Sequence, residues 1–426
     1  MAYLRKLFKY TKEDSLIRDS FILFIATMIM NLAGFLYHFV MGRVLGPADY
    51  GILGVVLSLF YILLVPFNVI QTSISKFVAM FKAKGDNKSI SNLFVRASRK
   101  LLLISICAFT VLVFLSYLFL SKYLKIPINV LFIVAISIPA LFLLPVVRGV
   151  LQGLQSFRSL GNNFIIEAIV KFCFGLILVF LGLGVFGATL GIFSSYIISL
   201  LVGFFLIRNY FKKYNKKLNT KIVYKYSWPV FIVLLSLTLF YSLDVMLVKY
   251  YFDDVTAGYY AAAALLGRIA FFVSFAIVSV LFPKVAEMHA LGKENLHLLK
   301  KALFLVSILC GGIILVYLLF PKLVVLVLFG KSYLVITKYI AIFAFLMSIF
   351  SYVYLLAFYN LSVNRINFVY GLVLLILLEF LLLVFYHSSL LQVIFVLLIL
   401  IVLTFIFMLI YTFVKNGKAV SDNTCL

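Results

Sequence analysis

Residues 39–60 read FVMGRVLGPADYGILGVVLSLF, and this stretch decides the fold. One uncharged run, 20–42, ends inside it, and a second uncharged run, 50–75, begins inside it. Each run exceeds the roughly 20 apolar residues that a helix needs to cross a bilayer core. The connection 46–49, GPAD, contains a Gly-Pro pair of the kind that breaks helices and forms turns. The stretch therefore predicts two membrane-spanning helices joined by a tight turn.

The composition of the whole chain places it in the membrane class. Its 426 residues are 65% hydrophobic and only 12% charged, whereas soluble domains average about 45–50% apolar and about 25% charged residues. A net charge of +24 would indicate a nucleic-acid partner in a soluble chain, but in membrane proteins Lys and Arg collect in cytoplasmic loops. The four cysteines have no metal-binding or redox spacing. We therefore predict an all-α polytopic membrane protein with no cofactor and no nucleic-acid partner.

Apolar runs separated by short polar breaks predict twelve transmembrane helices in two six-helix bundles, 20–207 and 226–414. The basic segment 1–19 is either a helix on the membrane surface or a plain cytoplasmic tail. A basic cytoplasmic linker, 208–225, joins the bundles, and a cytoplasmic tail, 415–426, follows them. The predicted spans are 20–42, 50–80, 101–121, 128–149, 161–182, 187–207, 226–249, 259–283, 301–320, 334–358, 366–386 and 390–414.

The distribution of cations tests this arrangement. With the N-terminus in the cytoplasm, the alternating loops hold 27 Lys and Arg on the cytoplasmic side and 7 on the outer side. Arg148 is counted here as a residue of a cytoplasmic loop. Three further cations, Lys76, Lys171 and Arg268, fall inside predicted spans. Because cytoplasmic loops are enriched in Lys and Arg, the asymmetry predicts that both termini are cytoplasmic.

An internal repeat relates the two bundles. A shift of 207 residues aligns Gly51-Ile52 with Gly258-Tyr259, and Val78-Ala79 with Val285-Ala286. Six spans separate the copies, so both bundles have the same orientation and are related by a pseudo-two-fold axis along the membrane normal. In transporters, such a plan predicts a substrate route between the halves.

Four short motifs carry a resemblance to a known family. The outer turn resembles the signature turn of the polysaccharide transport family, the flippases of lipid-linked oligosaccharides that include O-antigen-repeat flippases. This family belongs to the multidrug/oligosaccharidyl-lipid/polysaccharide exporter superfamily. The similar stretches are 43–51 (RVLGPADYG), 151–154 (LQGL), 254–262 (DVTAGYYAA) and 282–284 (FPK).

The resemblance implies a central cavity that is lined with cations and opens alternately to each side of the cell membrane. It implies a polyprenyl-phosphate-linked saccharide as cargo and a role in making cell-envelope polysaccharide. Membrane lipids, and glycosyltransferases or a polymerase of the same pathway, would be the partners. A charged head group must then cross a layer that penalises charge and unsatisfied polar groups. The chain should therefore carry cations inside the membrane and need no catalytic residues.

Two cations lie deep enough to meet this need. Arg268 lies about 13 Å below the outer surface and Lys171 about 15 Å from the other side, at 1.5 Å per residue. An unpaired cation at that depth costs about 2.5–3.5 kcal/mol or more, so each should face protein or water. Arg268 has no acid within four residues, which favours a role in binding cargo. Lys171 has Glu167 one turn earlier, so this pair either neutralises itself or functions in transport.

The remaining candidates are two sets of charged residues. Arg43, Lys76 and Lys249 lie near helix ends, where each either reaches lipid head groups or contacts cargo. Asp244 and Glu379 are acids in apolar runs, and they either bind a coupling proton or sodium ion or balance an arginine. The sequence leaves both choices open.

Three other classes of protein remain as alternatives. A multidrug or cation antiporter of the same superfamily would favour an acidic cavity, whereas the charges inside the membrane are mostly cationic here. A membrane-embedded enzyme of polysaccharide synthesis would need acidic motifs on large aqueous loops. The adjacent acids Asp253 and Asp254 lie in a turn of about nine residues, too short to build such a site. A purely structural subunit would not need Arg268.

Overall fold

The computed structural model describes residues 14–208, 221–290, 295–363 and 365–423, and within these ranges it contains helices and no strands. Short π-helical turns, Ser116–Leu120 and Val179–Leu183, continue the helices that end at Leu115 and Leu178, and a short 3-10 segment, Lys331–Ile336, precedes the helix that begins at Thr337. The helices are α1 (Asp14–Ala83), α2 (Asn87–Leu115), α3 (Ser121–Leu124), α4 (Ile128–Gly153), α5 (Phe157–Leu178), α6 (Gly184–Leu206), α7 (Lys221–Leu239), α8 (Leu243–Tyr251), α9 (Asp254–Ala290), α10 (Leu296–Leu319), α11 (Pro321–Leu328), α12 (Thr337–Ser362), α13 (Phe368–Phe385) and α14 (Leu390–Asn423).

The described helices match the predicted spans. Ten helical stretches in the described residues are long and apolar enough to cross a membrane. Two of them, Ile25–Lys82 and Phe157–Leu206, contain 58 and 50 residues, more than twice the length of about 20 that one crossing needs. Each of these two stretches contains two predicted spans. The ten stretches therefore correspond to the twelve predicted spans and confirm the all-α membrane class.

Glycines mark the points where the long helical stretches break. Gly46, in the turn between the first two spans, has φ 74° and ψ 176°, a conformation that only glycine adopts without strain. Gly182 has φ 87° and separates the fifth span from the sixth in the same way. Both breaks lie where the sequence predicts turns.

The chain forms two compact units. The N-terminal unit consists of Met1–Leu45 and Leu63–Ser227, and the C-terminal unit consists of Gly46–Ile62 and Trp228–Leu426. The division between the six-span halves lies near the predicted linker. The outer part of the second span, however, is grouped with the C-terminal unit, whereas the sequence analysis assigned it to the first bundle.

In the N-terminal unit, glycines allow two pairs of helices to approach closely. A methyl group at Gly153 of α4 would lie 2.6 Å from Val78 and from the carbonyl oxygen of Ser75 on α1. A methyl group at Gly191 of α6 would overlap the backbone of Gly175 on α5. These contacts pack α4 against α1 and α6 against α5, as small residues do in membrane proteins generally.

In the C-terminal unit, the segment 46–62 packs against α9. A methyl group at Gly51 would lie 2.8 Å from the backbone nitrogen of Gly258, and a methyl group at Gly258 would overlap the carbonyl of Pro47. The Tyr50 ring packs edge-on against Phe329, with 5.5 Å between the ring centroids. The two turns that the repeat aligns therefore contact each other directly.

Several predicted features lie outside the described residues. These are most of the basic N-terminal segment, residues 1–13, and most of the linker, residues 209–220. The predicted tail is helical to Asn423, where α14 ends.

Candidate functional site

The N-terminal unit contains a buried polar cluster that begins at Arg148. The sequence analysis was wrong to place Arg148 in a cytoplasmic loop, because α4 continues to Gly153 and leaves Arg148 only 3% exposed. Its Nε donates to Oδ1 of Asn163 at 2.7 Å. Its guanidinium lies 4.6 Å from the centroid of the Phe164 ring, within the range of a cation–π contact. Arg148 is therefore fixed inside the protein.

Glu167 pairs with Arg148. One Nη of Arg148 donates to Oε2 of Glu167 at 2.5 Å, a charge-assisted hydrogen bond. The sequence analysis allowed that Glu167 and Lys171 simply neutralise each other. Among the described residues no ion pair within 4.0 Å joins them. Glu167 does balance a charge, but the charge is that of Arg148. Arg148 lies 19 residues earlier in the sequence, so the pair could not be predicted from helical spacing.

Lys171 is half-buried, and its ammonium faces an aromatic ring. Its Nζ lies 5.2 Å from the centroid of the Tyr37 ring. The Tyr37 hydroxyl donates to the carbonyl oxygen of Ala188 at 2.8 Å, which holds the ring in place. In the described part of the chain, Lys171 has no carboxylate within 4.0 Å. Lys171 thus lies within a predicted span and faces an aromatic ring instead of a carboxylate.

These polar groups lie on one face of α5. Asn163, Glu167 and Lys171 follow one another at four-residue spacing, which places them on the same side of a helix. They cover about 12 Å along the helix axis. Together with Arg148 of α4, the stripe carries two positive charges, on Arg148 and Lys171, and one negative charge, on Glu167. Its net charge is therefore positive.

Arg268 lies in a second cluster, in the C-terminal unit. It is buried and donates to the backbone carbonyl of Tyr241. Its guanidinium also lies 5.3 Å from the centroid of the Tyr241 ring. One Nη lies 4.0 Å from Oδ1 of Asp244. The absence of an acid nearby in sequence was therefore misleading, because α8 supplies the acid.

Two buried carboxyl groups accompany Arg268. Asp244 accepts a hydrogen bond from the Tyr260 hydroxyl at 2.8 Å. Glu379 of α13 is 0% exposed, and in the described residues neither of its oxygens has a hydrogen-bond partner. Asp244 is likewise 0% exposed. If both were ionised, the cluster with Arg268 would have one negative charge in excess.

Lys249, which the sequence places either at lipid head groups or in contact with cargo, lies in an ion pair. It is 0% exposed, and its Nζ lies 2.5 Å from Oδ1 of Asp254. Beside this pair, Asp253 accepts a hydrogen bond from the backbone N–H of Thr256 at 3.0 Å. Hydrogen bonds from the Thr256 side chain and backbone lower the pKa of Asp253, because they favour its charged form. Lys249 therefore belongs to an ion pair at the outer turn.

Arg43 and Lys76 are exposed. Their contact with cargo or head groups stays a prediction. The sequence analysis missed Asn163, Tyr241 and Tyr260. Their only signal was a polar atom in an apolar run, which many structural residues share.

The family of the protein follows from sequence comparison. The chain belongs to the polysaccharide biosynthesis protein family, whose pattern matches residues 16–289. A curated relative is an uncharacterized membrane protein of Methanocaldococcus jannaschii, which is 26% identical over 334 residues, or 75% of this chain and 78% of the relative. These matches confirm the resemblance seen in the outer turn.

Solved structures share the fold. The lipid II flippase MurJ in an inward closed conformation has a TM-score of 0.71 and 14% identity, covering 92% of this chain and 87% of MurJ. An inward-facing multidrug resistance transporter of the MATE family has a TM-score of 0.69 and 12% identity, covering 91% of this chain and 96% of the transporter. A transporter of the same superfamily from Pyrococcus furiosus has a TM-score of 0.63 and 16% identity, covering 94% and 95%. Family and fold together support a membrane flippase or transporter.

Proposed function

We propose that this protein moves a polyprenyl-phosphate-linked saccharide from the cytoplasmic to the outer face of the cell membrane by alternating access. Lys171 is the observation that carries the proposal. It is a half-buried residue within a predicted span, and no carboxylate lies within 4.0 Å of its ammonium in the described residues. An unpaired cation in that position has a high free-energy cost. Transient binding of an anion would offset this cost.

The charge of the stripe on α5 selects the class of cargo. Arg148, Glu167 and Lys171 together are positive, which attracts a phosphate and repels a cationic drug. This favours the flippase over the multidrug antiporter. Two of the solved structures agree with the choice: MurJ is described as a lipid II flippase, and the Pyrococcus furiosus transporter is described as having a binding pocket of reverse polarity.

No covalent step is needed for this function. The lipid tail can stay in the bilayer while the protein shields the head group, so the protein acts as a transporter and not as an enzyme. Cytoplasmic glycosyltransferases would supply the cargo and a polymerase would use it. Without Arg148, 26 Lys and Arg lie in the predicted cytoplasmic segments and 7 in the outer ones, and this asymmetry supports a cell-membrane protein with both termini in the cytoplasm.

The C-terminal cluster would couple transport to an ion. Asp244 and Glu379 outnumber Arg268, so a proton or a sodium ion would balance the cluster. Neutralising Asp244 would also free Arg268 to hold a phosphate. A guanidinium can hold a phosphate with two hydrogen bonds, whereas an ammonium acts as a point charge. Arg268 would then serve as an anion-binding residue of the C-terminal unit.

The flipping of a lipid-linked oligosaccharide in reconstituted vesicles tests the proposal. Lys171→Gln should abolish flipping, and Lys171→Arg should retain part of it because the charge remains. Lys122→Gln is the matched control, since Lys122 is exposed and lies outside both clusters. Equal insertion and abundance must be shown for each variant. If Lys171→Gln flips at the parental rate, the proposed anchor is wrong.

Imposed gradients test the coupling. With a pH or sodium gradient across the same vesicles, the parental protein should flip faster than without one. Glu379→Gln should lose this acceleration, because it removes the charge that would bind the ion. An acceleration that persists in both Glu379→Gln and Asp244→Asn would exclude the cluster as the coupling site.

A further inference from the structure

We infer that Glu167 sets how tightly Lys171 holds an anion, and that Arg148 positions Glu167 for this task. The inference rests on the proposed function, because it concerns the anion at Lys171. Glu167 would compete with the phosphate of the cargo for the same ammonium. Arg148 would decide whether Glu167 is free to compete.

The geometry shows how firmly Arg148 is held. Its Nε donates to Asn163 Oδ1 at 2.7 Å, and Asn163 in turn donates from Nδ2 to the carbonyl oxygen of Ser199 at 2.7 Å. Its guanidinium also lies between the rings of Phe164 and Phe67, 4.6 and 5.7 Å from their centroids. Residues of α1 and α5 thus contact the Arg148 side chain directly, and α6 holds Asn163 in place. The partner that Arg148 holds at 2.5 Å, Glu167, is correspondingly drawn away from Lys171.

Glu167 has a second cation within reach. Lys171 follows it by four residues, the spacing and order at which a Glu and a Lys pair most favourably on a helix. In the described residues the two groups form no ion pair within 4.0 Å. The Glu167 side chain therefore has two alternative arrangements. In the arrangement seen here it pairs with Arg148, and in the other it would pair with Lys171.

These alternatives solve a problem of cargo release. An anion that leaves Lys171 leaves behind an unpaired ammonium, which is costly inside the membrane. If Glu167 takes the place of the departing phosphate, the ammonium stays paired and release becomes easier. If Arg148 holds Glu167, the ammonium is open to the next anion. Glu167 would thus act as an internal substitute for the phosphate.

Binding of farnesyl diphosphate to the full-length protein in detergent micelles tests the inference. This probe contains the diphosphate and a short isoprenoid tail, without a saccharide. Glu167→Gln should bind it about tenfold more tightly and release it more slowly, since it removes a competing charge. Arg148→Lys should bind it about threefold more weakly, because an ammonium cannot hold Asn163 and Glu167 with a two-pronged contact. The double variant should bind as tightly as Glu167→Gln.

The outcomes separate this inference from the proposed function. If Lys171→Gln leaves the affinity for farnesyl diphosphate unchanged, Lys171 is not an anion site and both fail. If Lys171→Gln weakens binding but Glu167→Gln and the parental protein bind and release the probe equally, only the role of Glu167 is wrong. If Glu167→Gln binds more tightly but Arg148→Lys binds like the parental protein, Glu167 acts through its charge alone and the positioning by Arg148 is wrong. If Glu167→Gln is not recovered folded, the double variant compared with Arg148→Lys gives the same answer.

Discussion

The contact between the two outer turns gives a prediction that the structure makes quantitative. Gly258→Ala would place a methyl group in overlap with the carbonyl of Pro47. Both sides of this contact are backbone, so no change of rotamer can relieve it. The segment that contains Pro47 would have to move away from α9, and the packing of Tyr50 against Phe329 would be strained with it.

Two opposing terms set the size of the effect. Overpacking a close contact costs about 1–3 kcal/mol, and a clash between backbones belongs at the upper end. Alanine in place of glycine in a helix returns about 1 kcal/mol. Gly258→Ala should therefore lower the free energy of unfolding by about 2 kcal/mol. Gly311→Ala is the matched control, because nothing lies within 4 Å of a methyl group at Gly311 of α10. That variant should gain up to about 1 kcal/mol.

Unfolding by SDS in mixed micelles, followed by circular dichroism, measures both variants against the parental protein. The two substitutions are chemically identical, so the difference of about 3 kcal/mol between them isolates the contact. Gly51→Ala should behave like Gly258→Ala, since its methyl group would lie 2.8 Å from the Gly258 nitrogen. Equal stabilities for Gly258→Ala and Gly311→Ala would refute the close packing of the two turns.

Two further predictions concern the outer turns. Asp254→Asn should lower the free energy of unfolding by about 1–3 kcal/mol, because the buried Lys249 ammonium loses its partner. Lys249→Met added to Asp254→Asn should restore most of that stability in the same unfolding assay, and no recovery would mean that the pair is not what stabilises the turn. A membrane-impermeant thiol reagent added outside cells should label Asp49→Cys and spare Asn87→Cys, in line with the charge distribution. The reverse pattern of labelling would overturn the predicted orientation.

The membrane spans could be predicted from the sequence because their signal is local. Twenty apolar residues in a row must cross the bilayer as a helix wherever the rest of the chain lies. The breaks at Gly46 and Gly182 are local for the same reason, since the backbone there needs a residue without a side chain. The signature turn at 43–51 then indicated the family.

The arrangement of the buried charges could not be predicted in the same way. Glu167 has Lys171 as its neighbour in sequence, but its partner in space is Arg148 on another helix. Arg268 lacks a local acid, yet Asp244 approaches it from α8. The sequence identified Glu167 and Arg268 as candidates, but the partner of each depends on helix packing. Helix packing in turn depends on contacts between distant residues, such as those at Gly153 and Gly191.

The composition of the C-terminal unit has a consequence for the independence of the halves. Its segment 46–62 is flanked in the sequence on both sides by residues of the N-terminal unit. A gene fragment that begins at residue 228 would encode α9 without the segment that covers Gly258 and Tyr333. A cut after residue 227 would therefore divide the C-terminal unit instead of separating two self-contained modules.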